Sequence, residues 1–104
     1  MNYFYLIIVT KEKVQLDYNL DVFYINDECT LIDDHHINYQ NEIFEFEYLI
    51  YSNKAELSFK DNNLIFKENN IPITNFYFQT SLEHIYYITE DNLSKKIIDI
   101  IENE

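Results

Sequence analysis

With 104 residues, 47% of them hydrophobic, the chain is long enough for one domain with a core of its own and too apolar to stay unfolded, despite a formal charge of −12. It has no Gly, no Trp and no Arg, so that Lys accounts for all seven of its Lys and Arg positions. Phosphate cradles use Gly so that backbone N–H groups can approach the ligand, and bidentate clamping of phosphate uses Arg, so composition and the sign of the charge disfavour nucleotide-using enzymes and direct nucleic-acid binders.

Met1–Thr10 is continuously apolar and reads as a first, central strand. Its core, Tyr3–Val9, is too short to span a bilayer, lacks a basic leader and is followed by no small-residue cleavage site, so neither a membrane anchor nor a signal peptide is expected. Lys11-Glu12-Lys13 forms the turn. From Val14, the residues Val14, Leu16, Tyr18, Leu20, Val22 and Tyr24 share one phase, and Gln15, Asp17, Asn19 and Asp21 the other. Period two predicts a half-buried strand with an acidic outer face, either one long bent strand or two broken near Asn19.

Cys29–Ile32 predicts a short strand and Asp33–Asn41 an exposed loop. Glu42–Tyr51 gives the clearest strand signal, with Phe44, Phe46, Tyr48 and Ile50 on one side and Glu45 and Glu47 on the other. Beyond Glu47 the second side turns apolar at Leu49 and Tyr51, so that half is covered on both sides or presents a sticky end. Ala55–Lys60 and Leu64–Glu68 flank Asp61-Asn62-Asn63 and predict a hairpin, with Asn supplying the left-handed conformation that Gly usually supplies. Asn69-Asn70 repeats the device.

Ile73–Gln79 and His84–Thr89 predict two further strands, although Leu82, Ile85 and Tyr86 also fit a helix. Pro72 stands where a strand can begin. Leu93, Ile97, Ile100 and Ile101 fall on one helical stripe, which predicts a helix near 90–102, capped by Thr89 or Asp91 and packed on the sheet. The expected fold is α+β, in one domain over residues 1–104. It is an antiparallel sheet of six to eight strands with one C-terminal α-helix on a face, a partly closed barrel being the alternative.

Charge is distributed unevenly along this chain. From Val14 to Asn53 there is no Lys, while Asp17, Asp21, Asp27, Glu28, Asp33, Asp34, Glu42, Glu45 and Glu47 all fall there. Ile, Asn, Tyr, Phe and Lys dominate the composition, and these are amino acids of AT-rich codons. They point to a low-GC genome, that of a bacterium or its phage. The single cysteine, Cys29, has no intramolecular partner and fits a reducing cytoplasm.

Three clusters carry residue types suited to chemistry. Asp33-Asp34-His35-His36 has metal-ligand types, but adjacent side chains diverge, so a third ligand would have to come from elsewhere, such as Glu28 or Glu42. A solvated acidic loop is the stronger reading. Cys29 with His35 or His36 lacks an orienting third group and reads as core. Glu45 and Glu47 resemble a glycosidase pair only in spacing, since a small chain without Trp offers no sugar-binding cleft. No catalytic residue, metal or cofactor is assigned.

A one-signed acidic surface threaded with aromatics attracts proteins that normally bind nucleic acid. The expected function is a small, non-enzymatic, cytoplasmic inhibitor that docks on a basic protein, either a nuclease or a defence-effector subunit. It is read as a phage antagonist of bacterial defence, of anti-CRISPR or anti-restriction type. An immunity protein against a nuclease toxin and a homodimerising structural module are the alternatives. The expected contact residues are the nine acids with Tyr39 and Tyr51. No membrane or nucleic-acid contact is expected.

Overall fold

A computed structural model describes residues 2–16, 21–89 and 92–103. Among these residues, nine strands and one helix follow in chain order: β1 (Asn2–Val9), β2 (Val22–Ile25), β3 (Cys29–Leu31), β4 (His36–Tyr39), β5 (Glu42–Ser52), β6 (Leu57–Phe59), β7 (Lys67–Glu68), β8 (Ile71–Pro72), β9 (Ile85–Ile88) and α1 (Leu93–Glu102). The fold is α+β. A seven-stranded sheet runs β2-β1-β5-β4-β3-β6, with β9 also paired to β5, and β7 and β8 form a separate ribbon.

The main sheet is mixed rather than antiparallel. β1 is parallel to both β2 and β5, β5 to β9, and β3 to β6, while only β3–β4 and β4–β5 are antiparallel. Parallel neighbours need long connections, and the chain supplies them between β1 and β2, between β3 and β6, and between β5 and β9. The β1–β2 and β5–β9 connections hold the stretches whose patterning reads as further strands. Thus Leu57–Phe59 pairs with β3 instead of closing a hairpin across Asp61-Asn62-Asn63. Ile73–Gln79 contributes one bridge, Gln79 to Tyr86, and no strand. Val14 and Leu16 do turn inward against the helix-side core, but as irregular chain.

Asp33–Asn41 is not a loop throughout. His36–Tyr39 forms β4, and Gln40 and Asn41, at φ 53° and 64°, make the tight turn into β5. Positive φ at both central positions is the type I′ geometry that matches strand twist. Asn69 and Asn70, at 53° and 65°, build the same turn between β7 and β8. The helix begins after Asn92, which is left-handed and makes no side-chain cap, so Thr89 does not cap it; Glu90 and Asp91 lie outside the described residues.

Two cores sit on opposite sides of the sheet. Leu6, Ile8, Ile50, Tyr86 and Ile88 pack against Leu93, Ile97 and Ile100 of the helix. Ile7, Val9, Leu31, Phe46, Leu49 and Ile85 form the other core, closed by Ile65 with Leu64 and Leu82 from the long β6–β9 connection. Strand alternation skips a beat halfway along the central pair. Phe44 and Phe46 belong to the same core as Leu49 and Tyr51, and Phe4 to the same core as Ile7 and Val9. At that level β5 also changes its neighbour on one edge, from β4 over Glu42–Glu45 to β9 over Leu49–Ser52.

Candidate functional site

The helix covers only part of its side of the sheet. Beyond it, the second face of the sheet is open and polar. Glu45 on β5 stands between Tyr3 on β1 and His36 on β4, each its direct register partner. Thr30, Asn38 and Ser58 continue this face across β3, β4 and β6, and the Thr30 and Ser58 hydroxyls are hydrogen-bonded at 3.0 Å. Alternation dictates the arrangement, because Leu31, Ile37, Phe44 and Phe46 must fill the opposite core.

Carboxylates gather around Tyr3. Its phenol is raised by desolvation and then by the charges of Glu47 and Glu45, with Asp21 also contributing. His36 Nε2 lies 3.9 Å from Glu45 Oε2, and His84 Nδ1 4.0 Å from Glu47 Oε1. Asp33 shapes the turn into β4. Its Oδ1 accepts from the His35 N–H at 2.8 Å and meets His36 Nδ1 at 2.8 Å. Partial burial works to raise the Asp33 carboxyl. The hydrogen bonds from His35 and His36, with the charge of His36, outweigh it and hold the carboxyl below its usual range.

His35 and His84 meet where β5 changes neighbours, with His36 beside His35 in the chain. The His35 carbonyl accepts from the Phe46 N–H and the His84 carbonyl from the Leu49 N–H, both at 2.9 Å. The rings of His35 and His84 stand edge to face at 4.8 Å, and that of Tyr48 is 5.3 Å from His84. His35 and His36 point apart, one to His84 and the other to Asp33 and Glu45. Among the described residues, no three His, Cys, Asp or Glu side chains converge to hold a metal ion.

The nine acids do not form one cluster. Asp21, Asp33, Glu45 and Glu47 belong to the open sheet face, with Asp34 next to His35. Asp27 and Glu28 line an open cleft of about 670 Å³ at the sheet end, along with Tyr39 and Glu56. Glu42 is exposed just after the Gln40–Asn41 turn. Asp17 lies outside the described residues.

The lysine-to-acid ion pair among the described residues joins Lys11 to Glu56, so Lys bridges none of the described acids of the Val14–Asn53 stretch. Tyr39 is half-buried, edge-on to Phe23, and reaches the cleft. Tyr51 must be withdrawn as a contact residue. It is 5% exposed and packed against Phe59 and Tyr87, because the alternation slip turns it into the core. The Cys29 thiol is pushed up to about 12 by burial and by Asp27, which keeps it protonated and inert as a nucleophile at neutral pH.

Sequence reasoning missed Tyr3 and His84. Both looked like ordinary strand residues, and only the β1–β5 and β5–β9 registers bring them to the carboxylates. Compared with known protein families, characterised proteins and solved structures, the chain matches none. No helix among the described residues is long and apolar enough to cross a membrane.

Proposed function

We propose that this chain is a small acidic inhibitor that docks its open sheet face on a basic nucleic-acid-binding enzyme and so denies that enzyme its nucleic acid. One observation carries the reading. The charges of Glu47, Glu45 and Asp21 reach Tyr3 on a helix-free sheet face, Asp33 meets His36 beside Glu45, and no lysine bridges these four acids among the described residues. Carboxylates left without cations on a flat surface raise the encounter rate with a cationic groove. Tyr3, 49% exposed at their centre, supplies aromatic area with a polar tip, as interface hot spots do.

The setting that suits the size, charge and AT-rich codon usage is a phage antagonist of bacterial defence acting in the cytoplasm. The lone Cys29 is buried and free, which agrees with a reducing compartment.

The test is capture from a low-GC bacterial lysate by the intact chain and by a Glu45→Lys/Glu47→Lys variant, followed by assay of the captured enzyme. The expected result is enrichment of a basic nuclease or effector subunit whose activity falls when the chain is added. The variant should lose both effects while melting at the same temperature or higher, since reversal relieves acid–acid repulsion. Equal capture by both proteins, or no basic nucleic-acid enzyme among the hits, refutes the reading.

A further inference from the structure

On the side of the sheet away from the helix, a cavity of about 170 Å³ lies at the carboxyl end of β5, walled by β5, β6, β9 and the β7–β8 ribbon. Tyr51 and Tyr87 are register partners on the parallel strands β5 and β9, and both line it, with ring centroids 4.8 Å apart. Phe59 of β6 stands edge-on to Tyr51 at 6.2 Å. Leu57 and Pro72 add apolar wall, and Lys67 of β7 adds the one charged group that lines the cavity among the described residues.

Two donors there lack an acceptor. Tyr51 is 5% exposed, and its hydroxyl is buried with no hydrogen-bond partner among the described residues. Buried polar groups are nearly always paired, so an orphan of this kind calls for a partner. Burial, followed by the neighbouring Tyr87 phenol, raises the Tyr51 phenol, which therefore keeps its proton at neutral pH and stays a donor. Lys67 Nζ rests 4.1 Å over the Phe59 ring and makes no ion pair with a carboxylate among the described residues. The ring face attracts the charge but accepts poorly from the three N–H groups. Ser52 cannot serve either donor, because its hydroxyl is engaged with Thr10 Oγ1 at 2.6 Å and with the Lys54 N–H at 3.0 Å.

We propose that this cavity is a binding site for a small aromatic monocarboxylate, whose carboxylate accepts from the Tyr51 hydroxyl and the Lys67 ammonium while its ring packs among Phe59, Leu57 and Pro72. The space exceeds the roughly 150 Å³ that accommodates a benzene ring. Charge and donor count select the ligand class. A cation would meet Lys67 and find no carboxylate, and a neutral hydrocarbon would leave the Tyr51 hydroxyl orphaned. One ammonium balances one carboxylate, whereas a phosphate dianion would leave a charge uncompensated among apolar walls. The Tyr51 oxygen is closed to bulk water, so the ligand reaches it by a side-chain rotamer change, a common event on binding. The charge of −12 slows the approach of any anion, but salt screens that field while leaving a partly buried contact nearly intact. The site is independent of the acidic-face reading, and each can fail without the other.

Titration of the ¹⁵N-labelled full chain with benzoate tests it, with benzyl alcohol as the uncharged match and phenyl phosphate as the dianion. The expected result is saturable amide shifts at Tyr51, Phe59, Lys67 and Tyr87, with a Kd of ~1 mM or below and both comparison compounds at least about tenfold weaker. Lys67→Met keeps the stem, removes the charge and should weaken benzoate about tenfold. Tyr51→Phe should weaken it about fivefold, yet leave the melting temperature of the unliganded chain unchanged or higher, because the hydroxyl it deletes has no partner. Saturating benzoate should raise the melting temperature of the native chain more than that of either variant. A lower melting temperature for unliganded Tyr51→Phe would mean that the hydroxyl is already satisfied. That result, the absence of saturable shifts by ~20 mM benzoate, equal binding of benzoate and benzyl alcohol, or undiminished binding by Lys67→Met overturns the proposal.

Discussion

The acidic stretch from Val14 to Asn53 builds much of the main sheet, whereas the uncharged stretch from Asn69 to Leu82 runs from the separate β7–β8 ribbon towards β9, and the two act at different ranges. The first projects carboxylates that no lysine bridges, among the described residues, from an open strand face, with the three histidines as their neighbours within the stretch or beside it. The second presents an aromatic tip on a clamped turn beside a neutral cavity. Coulomb attraction reaches about 10 Å at 0.1 M salt and about 3 Å at 1 M, whereas apolar contact needs touching surfaces. The first region can therefore steer a partner from a distance, while the second acts only on what touches it, and salt separates the two.

The largest expected effect destroys the scaffold that both regions share. Phe46 is 1% exposed, and it donates its N–H to the His35 carbonyl at the point where β5 changes neighbours. Phe46→Ala should cost about 3–5 kcal/mol through lost burial and the cavity left behind. That is a large share of the roughly 5–15 kcal/mol that holds a domain folded. Urea unfolding should show the loss, and both acidic-face capture and benzoate binding should fall together.

Salt sharpens the comparison next. Association through Glu45 and Glu47 should slow by an order of magnitude or more between low and ~0.5 M salt, as steered encounters do. Benzoate binding in the cavity that Asn70 and Pro72 help to wall should hold or strengthen over the same range. Stopped-flow and titration measurements on one preparation give both slopes. Two falling slopes would mean that the regions are not physically distinct.

Asn75→Ala isolates the second region. It removes the acceptor for two N–H groups and the donor to Gln79, and should cost about 1–2 kcal/mol of stability. Urea unfolding should show that loss with acidic-face capture unchanged. A fall in capture by the folded variant would mean that the two regions are not separate.

Period-two and helical patterning made the long strands and the C-terminal helix legible, because each buries one regular face. β5 and α1 were read to within a few residues. The apolar switch at Leu49 and Tyr51 was visible, though not its meaning, which is a change of core. Strand direction was illegible, since side-chain alternation is identical in parallel and antiparallel pairs. β4 was hidden by its polar composition and by a turn written Gln40-Asn41 instead of with Gly. The histidine seam could not be read either, because His84 reaches His35 only through the β5–β9 register.

The smallest predicted effect contrasts two turns of the same design. Asp33 Oδ1 accepts from the N–H two residues on, at His35, and Asn75 Oδ1 does the same at Tyr77. One acceptor is a charge and the other a neutral amide, so only the first turn should feel pH. The Asp33 carboxyl lies below its ordinary value in the folded chain, so its stabilisation is complete above the unfolded carboxyl range, near pH 4. It is lost as pH falls through the lowered folded value. The Asp33 side chain is 49% exposed, and solvent screening limits the effect to a few tenths of a kcal/mol. Asp33→Asn keeps an acceptor for the His35 N–H but removes the charge facing His36. The variant should melt slightly lower than the native chain above about pH 5 and converge with it towards about pH 2. Asn75→Ala should instead lower the melting curve by the same amount at every pH. Parallel curves for Asp33→Asn would show that the charge at that turn contributes nothing to folding.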